Sequence, residues 1–380
     1  MRRIAVAGAG PAGLSAAQEL RRLGYDGELV MVGAERHRPY RRPPLSKEYL
    51  LPGAGGVELP GAADLGASWL LGQPATGLDL PGRRLLRGRL PPVAYDGLVI
   101  ATGVRARGLP GSDALPGVVT LRGLDDARRL RAALATRPRV VIAGAGFVGS
   151  ELAATLRTLG LPVTLVGSGR VPLRRPLGER VGAIVAGLHR AHGVDLRLGR
   201  RVRAATGGGR VERVHLDDGT VLPADLLVPA LGAEPEVDWL RGSGLRLDGG
   251  VVVDRWGLAA PGVAAAGDVA RWPSSLLGGR TTRVEHYSNA VGQGAHAARA
   301  LLGVGGRFDP VPSFWCHLYG HRLQSVGLTG AGYETRLVAA EPDGRFLAEY
   351  RRDDRVVGAV TAGFLRRLPD YRKLITKEYA

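Results

Sequence analysis

The stretch Arg3-Ile4-Ala5-Val6-Ala7-Gly8-Ala9-Gly10-Pro11-Ala12-Gly13-Leu14 narrows the choice of fold more than any other part of the chain. An apolar run of strand type breaks into glycines at G-x-G-x-x-G spacing, and Ser15-Ala16-Ala17-Gln18-Glu19-Leu20 follows with apolar residues at helical intervals. Gly8 permits the tight turn, Gly10 lets the backbone approach a pyrophosphate, and Gly13 lets the helix lie close to the strand, so that the phosphates meet the helix N-terminus. With 58 glycines in the chain, spacing alone is weak. The context adds to it: a second strand, Glu28 to Gly33, leads to Glu35, which stands ~20 residues past the glycines, where a ribose hydroxyl needs an acceptor.

The same pattern returns about 135 residues later, in Arg139-Val140-Val141-Ile142-Ala143-Gly144-Ala145-Gly146-Phe147-Val148-Gly149, with a helix expected over 150–159. Two such units, each with its own strand-turn-helix-strand context, predict two dinucleotide seats. After the second helix, the strand Leu161 to Val166 runs into Gly167, where the ribose-reading position lacks an acid, and Ser168 and Arg170 follow. Without a carboxylate to repel it, a 2′-phosphate can bond to Ser168 and Arg170, which favours NADPH over NADH; a drifted site that binds either cofactor weakly or none is the alternative.

Length suggests two or three domains. No apolar run reaches the ~18 residues a membrane span needs. The start passes directly into a strand, with no room for a signal peptide, so a cytoplasmic location is expected. Cys316 is the only cysteine, which excludes an internal disulfide and a cysteine-based metal site, so no metal is expected. The formal charge of +17 is carried by arginine, since Lys47, Lys373 and Lys377 are the only lysines. It reads either as dispersed solubilising charge or as a field that attracts an acidic partner. Aromatic residues make up 5% and do not interleave with arginine clusters, which argues against nucleic acid.

Between the two turns, Arg38 to Lys47 is a proline-stiffened loop that reads alone as a rigid connector. Residues 53–92 read as short strands and turns. Tyr95 to Gly103 is a buried strand ending at Ala101-Thr102-Gly103, a second place where backbone can approach a cofactor. Residues 194–228 alternate like an antiparallel meander with a hairpin turn at Asp217-Asp218-Gly219-Thr220. Asp225 to Ala233, with its turn at Gly232, repeats the strand that ends at Gly103. Ala259 to Asp268 is another apolar strand closing on Gly267-Asp268, where the aspartate serves a sugar-alcohol chain or caps a helix. A helix is expected over 288–302.

In their order along the chain these motifs resemble the FAD-dependent ferredoxin reductases of oxygenase systems, nearly end to end. The resemblance implies an α/β fold with two Rossmann-like domains of the glutathione-reductase kind plus a small C-terminal α/β domain. FAD would be bound by residues 1–110 and 237–305, NAD(P) by 111–236, and 306–380 would form the last domain. It further implies that Gly8, Gly10, Pro11, Ala12 and Gly13 hold the FAD pyrophosphate and Glu35 the adenosine ribose. Arg42, Lys47, Ala75, Arg122 and the Ala101-Thr102-Gly103 turn would contact FAD, with Gly267 and Asp268 at the ribityl chain and Glu285, His286 and Tyr287 near the flavin. Gly144, Gly146, Phe147, Val148 and Gly149 match the nicotinamide dinucleotide turn, with Gly232 beside it. Glu151 would pair with Lys47 at the flavin's reactive nitrogen.

The chain departs from the family pattern in three places. Arg41 stands where the loop usually has an acid, Tyr287 where a tryptophan is usual, and Cys316-His317-Leu318 where Ser-Asp-Gln is usual. The implied reaction is electron transfer from NAD(P)H through FAD to a [2Fe–2S] ferredoxin that serves an oxygenase. The departures keep open a flavin oxidoreductase acting on oxygen or a small organic substrate. A disulfide reductase would need a cysteine in the loop after Glu35, and there is none.

Overall fold

The computed structural model describes residues 1–112 and 114–379, with the side chains of all of these but 378 and 379. The described residues form two compact units. The first takes Met1–Arg41, Val57–Arg105 and Glu234–Pro312; the second takes Arg42–Gly56, the described part of 106–233, and the chain from Ser313 on.

The first unit is built on a six-stranded sheet. The strand Arg3–Ala7 lies between Glu28–Gly33 and Gly97–Ile100, parallel to both. Ser68–Leu71 extends the sheet beside Glu28–Gly33, and Val263–Ala265 extends it beside Gly97–Ile100. These strands read as unbroken apolar runs because both faces are covered. On one face the helices Pro11–Arg22 and Tyr287–Leu301 pack with Ile4, Val6, Leu14, Leu20 and Met31. Pro11 at the first helical position presets the backbone, and the helix carries no β-branched residue. The helices approach closely because Gly294 lies against Ala12, where a Cβ would stand 2.2 Å from the Ala12 carbonyl oxygen. On the other face Ala5, Val30, Leu98, Ile100 and Ala265 pack beneath an antiparallel meander of 77–79, 84–87 and 90–94.

The apolar stretch from Ala259 to Asp268 is a hairpin and not one strand. Leu258–Ala260 turns back antiparallel on Val263–Ala265, since Pro261 cannot donate to a ladder and Gly262 holds a φ of +76°.

The second unit repeats the arrangement on a smaller scale. Val140–Ala143 lies between Val163–Gly167 and Leu226–Pro229, and Asp195–Leu198 joins as an edge, all parallel. The expected meander over 194–228 is therefore shorter. Only 202–206, 213–216 and 221–223 pair antiparallel, and the two ends of the stretch enter the parallel sheet, Leu226–Pro229 as a fully buried strand and Asp195–Leu198 as a half-exposed edge. The hairpin turn stands where expected, with the Leu216 amide donating to the Thr220 carbonyl at 2.9 Å.

From Trp315 the chain makes a five-stranded antiparallel sheet backed by the helix Leu368–Tyr379, which buries Tyr371 and Ile375. This sheet shares a core with the helix Arg174–Ala191, where Leu173, Leu177, Val181 and Val185 meet Phe314, Cys316, Phe346 and Tyr350. Each such fully buried large side chain contributes roughly 2 kcal/mol relative to exposure. Among the described residues no helix is long and apolar enough to cross a membrane.

Candidate active site

The two glycine turns have the same geometry. Gly8 and Gly144 hold φ of +118° and +119°, and a Cβ on either would strike a carbonyl oxygen, that of Ala101 at 2.1 Å or of Ala230 at 2.2 Å. Gly13 and Gly149 lie so close to their turns that a Cβ would stand 1.9 Å from the Gly8 oxygen and 1.8 Å from the Gly144 oxygen. Around Gly10 and Gly146 there is open space within 4 Å. The Gly8 amide donates to Val32 and the Gly144 amide to Val166, each at 2.8 Å. The flanking strands correspond as well: Ala101 donates to Ala7 and Ala230 to Ala143, each at 2.7 Å.

Both helices that follow, Pro11–Arg22 and Phe147–Thr158, begin at a glycine with no capping side chain and no acid in the first turn. The open space at Gly10 and Gly146 lies at the positive end of each helix dipole, which is the chemistry a pyrophosphate needs. The residues present fit a dinucleotide at each turn.

Around the first turn, Glu35 is half-buried and accepts the Tyr40 hydroxyl at 2.5 Å. The Thr102 hydroxyl donates to the Glu236 carbonyl, and Gly103 has a φ of +71°. Ala75 packs at the edge of the lower core. Gly267 lies against Ala12, where a Cβ would meet the Ala12 methyl at 2.8 Å, and its amide donates to Oε1 of Gln293. The Nε2 of Gln293 is buried and has no partner among the described residues, which leaves a donor for a bound group or a water. Asp268 sits inside a one-turn helix whose cap position is Ala266, so it does not cap a helix. Arg283 bonds the Asp268 carbonyl at 2.9 Å and pairs with Glu285 at 2.6 Å. His286 is the cap position of the helix that Tyr287 begins, and burial raises the pKa of the Tyr287 phenol.

In the second unit the proline-rich loop is clamped to the helix Phe147–Thr158. Lys47 Nζ stands 2.8 Å from both carboxylate oxygens of Glu151. The same carboxylate accepts the Ser46 hydroxyl at 2.8 Å and the His317 amide at 3.1 Å. Thr155, one helical turn beyond Glu151, donates its hydroxyl to the Ser46 carbonyl at 2.8 Å. Arg42 bonds the carbonyl of Arg122, whose amide donates to Asp126. Phe147 packs on Phe314 with ring centroids 4.8 Å apart and the planes tilted by 58°, Val148 is exposed, and Gly232 (φ +92°) accepts from the Arg107 amide. Ser168 and Arg170 are exposed past the strand end at Gly167.

The sequence reading did not single out Ser46, Thr155 or Gln293. Ser46 and Thr155 have a sequence signal, one adjoining Lys47 and the other four residues beyond Glu151 on the same helix face. Gln293 has none, because it reaches Gly267 from 26 residues further on, on a separate helix.

Cys316 is wholly buried, and burial first and the neighbouring Glu151 carboxylate second raise its pKa well above the ordinary range. It is a protonated packing residue and not an activated thiolate. Burial and then Lys47 lower the pKa of His317.

The Pyridine nucleotide-disulphide oxidoreductase family matches residues 2–294. The chain is 41% identical over 369 residues to the ferredoxin reductase component of chlorobenzene dioxygenase from Cupriavidus sp. (strain PS12), covering 94% of this chain and 88% of that one. It is 39% identical over 334 residues to the ferredoxin–NAD(+) reductase subunit of the benzene 1,2-dioxygenase system of Pseudomonas putida, covering 85% and 80%. Its fold matches the covalent putidaredoxin reductase–putidaredoxin complex with a TM-score of 0.92 at 31% identity, covering 99% of this chain and 93% of that one. The chain belongs to the pyridine nucleotide-disulphide oxidoreductase family, alongside ferredoxin reductases of oxygenase systems.

Proposed function

We propose that the chain is an FAD-dependent NAD(P)H:ferredoxin oxidoreductase, taking a hydride from the nicotinamide and delivering electrons singly to a small [2Fe–2S] ferredoxin that serves an oxygenase. The observation that carries this is the doubled glycine turn, which gives one chain two dinucleotide seats of one geometry. Bound FAD supplies the conversion from a two-electron donor to a one-electron acceptor.

In this reading the first turn, with Glu35, Gln293 and Asp268, holds FAD, and the second turn holds the nicotinamide dinucleotide. Lys47, oriented by Glu151 and Ser46, is the cation that offsets charge gained by the flavin on reduction. The relatives named as ferredoxin reductase components support the choice of acceptor. The formal charge of +17 favours an acidic ferredoxin, and the lack of an acid at Gly167 favours NADPH over NADH.

The test is anaerobic mixing of the purified yellow protein with NADPH or NADH, followed by a panel of small ferredoxins. Rapid bleaching and ferredoxin reduction that slows steeply with added salt are expected. Bleaching without reduction of any ferredoxin overturns the acceptor, and a flat salt response overturns its acidic character.

A further inference from the structure

The strands Glu28–Gly33 and Val163–Gly167 are counterparts. Each lies parallel beside the strand that enters its glycine turn, and each ends in a glycine pressed on an alanine of that turn. A Cβ on Gly33 would stand 2.9 Å from the Ala9 methyl, and one on Gly167 would stand 2.7 Å from the Ala145 methyl. In the first unit Glu35 follows two residues later; in the second unit that position is Gly169. An acid is therefore missing both at the strand end and at the structural counterpart of Glu35.

Basic groups surround that position instead. A Cβ on Gly169 would lie 3.4 Å from Cβ and 3.5 Å from Cδ of Arg174. The Gly169 carbonyl accepts the Gly199 amide at 2.9 Å, and the Gly167 carbonyl accepts the Arg200 amide at 3.1 Å, which brings Arg200 to the same turn. Ser168 and Arg170 flank Gly169 and are exposed. Arg174 pairs with Glu179 and Arg200 with Asp218, in both cases with exposed guanidinium groups that can exchange partners readily.

We infer that Ser168, Arg170, Arg174 and Arg200 form a subsite for the adenosine 2′-phosphate of NADPH, which rests on the reading of the second turn as the nicotinamide seat. Guanidinium groups bind phosphate oxygens in pairs, and the Ser168 hydroxyl adds a neutral donor. Glu179 and Asp218 hold two of the arginines in place until the phosphate competes for them.

The test is calorimetric titration of the FAD-loaded protein at low salt with adenosine 2′,5′-bisphosphate and with 5′-AMP, so that bound FAD keeps either probe from the first turn. The bisphosphate is expected to bind at least ten-fold tighter, and Arg170→Ala and Arg200→Ala are each expected to narrow that gap several-fold. Equal affinities, or a gap that neither substitution changes, overturn the subsite and leave the second turn as a nucleotide seat. No binding of either probe, together with no bleaching by NADPH or NADH, overturns the reading of the turn and the subsite with it.

Discussion

Lys47 Nζ stands 2.8 Å from both carboxylate oxygens of Glu151, and the two side chains are only 11% and 8% exposed. With so little water nearby, each charge depends on the other. Lys47→Met or Glu151→Gln alone is expected to cost about 3–5 kcal/mol, because the remaining group has lost its main partner. The double variant should cost clearly less than the sum, since Gln still accepts from Ser46 and His317 and no charge is stranded. Urea unfolding of all four proteins measures the coupling; additive losses would show that the pair is not energetically linked.

Ser46 binds the same helix twice, through its hydroxyl to Glu151 and through its carbonyl to the Thr155 hydroxyl. Ser46→Ala removes a donor to a charged group and is expected to cost about 2 kcal/mol, while Thr155→Val should cost about 1 kcal/mol. Both effects should appear in the unfolding midpoint. A Thr155→Val protein as stable as the parent would show that the loop is held by the carboxylate alone.

The paired turns give a prediction with an internal control. Gly10 and Gly146 have nothing within 4 Å of a built Cβ, so Gly10→Val and Gly146→Val should fold and fill only the space meant for a ligand. Gly10→Val should emerge colourless, and Gly146→Val should emerge yellow but resist bleaching by NADPH. Gly13→Ala and Gly149→Ala meet carbonyl oxygens at 1.9 and 1.8 Å and should lower stability whatever is bound. Flavin absorbance per protein and circular dichroism separate these outcomes. A yellow Gly10→Val protein would remove FAD from the first turn.

The sequence made the two turns legible because backbone sterics leave glycine few substitutes there, and sterics are written locally. The parallel strands were legible for a related reason, being buried on both faces and so apolar throughout. Partner choice was not legible. Asp195–Leu198 reads as well in a meander as on the edge of a parallel sheet, and only its pairing with Val163–Gly167 in the folded chain decides between them. The hairpin at Pro261-Gly262 hid inside an apolar run because both its strands are small and buried. Lys47 and Glu151 came from resemblance, since residues about a hundred positions apart leave no periodic signal. The Ser46, Thr155 and Gln293 contacts depend on side-chain positions that only the folded chain sets.

His189 ties stability to pH. Its Nδ1 bonds the Tyr319 hydroxyl at 2.7 Å, while its Nε2 is buried without a partner among the described residues. His192 stacks on the Tyr319 ring with centroids 3.8 Å apart. Burial first, and the nearby His192 charge second, lower the His189 pKa to about 4. The unfolded chain takes up this proton near pH 6.5. Between these values the unfolded state holds a proton that the folded state refuses, so stability falls as pH drops from about 6.5 to 4, by up to about 3 kcal/mol. Above pH 6.5 both states are neutral and the contribution is fully present. His189→Gln should be less stable at neutral pH but should lose less on acidification. The difference between the two proteins in urea midpoint, followed from pH 7 to 4.5, isolates His189 from the carboxylates they share; parallel curves would show that the imidazole finds another way to accommodate its proton.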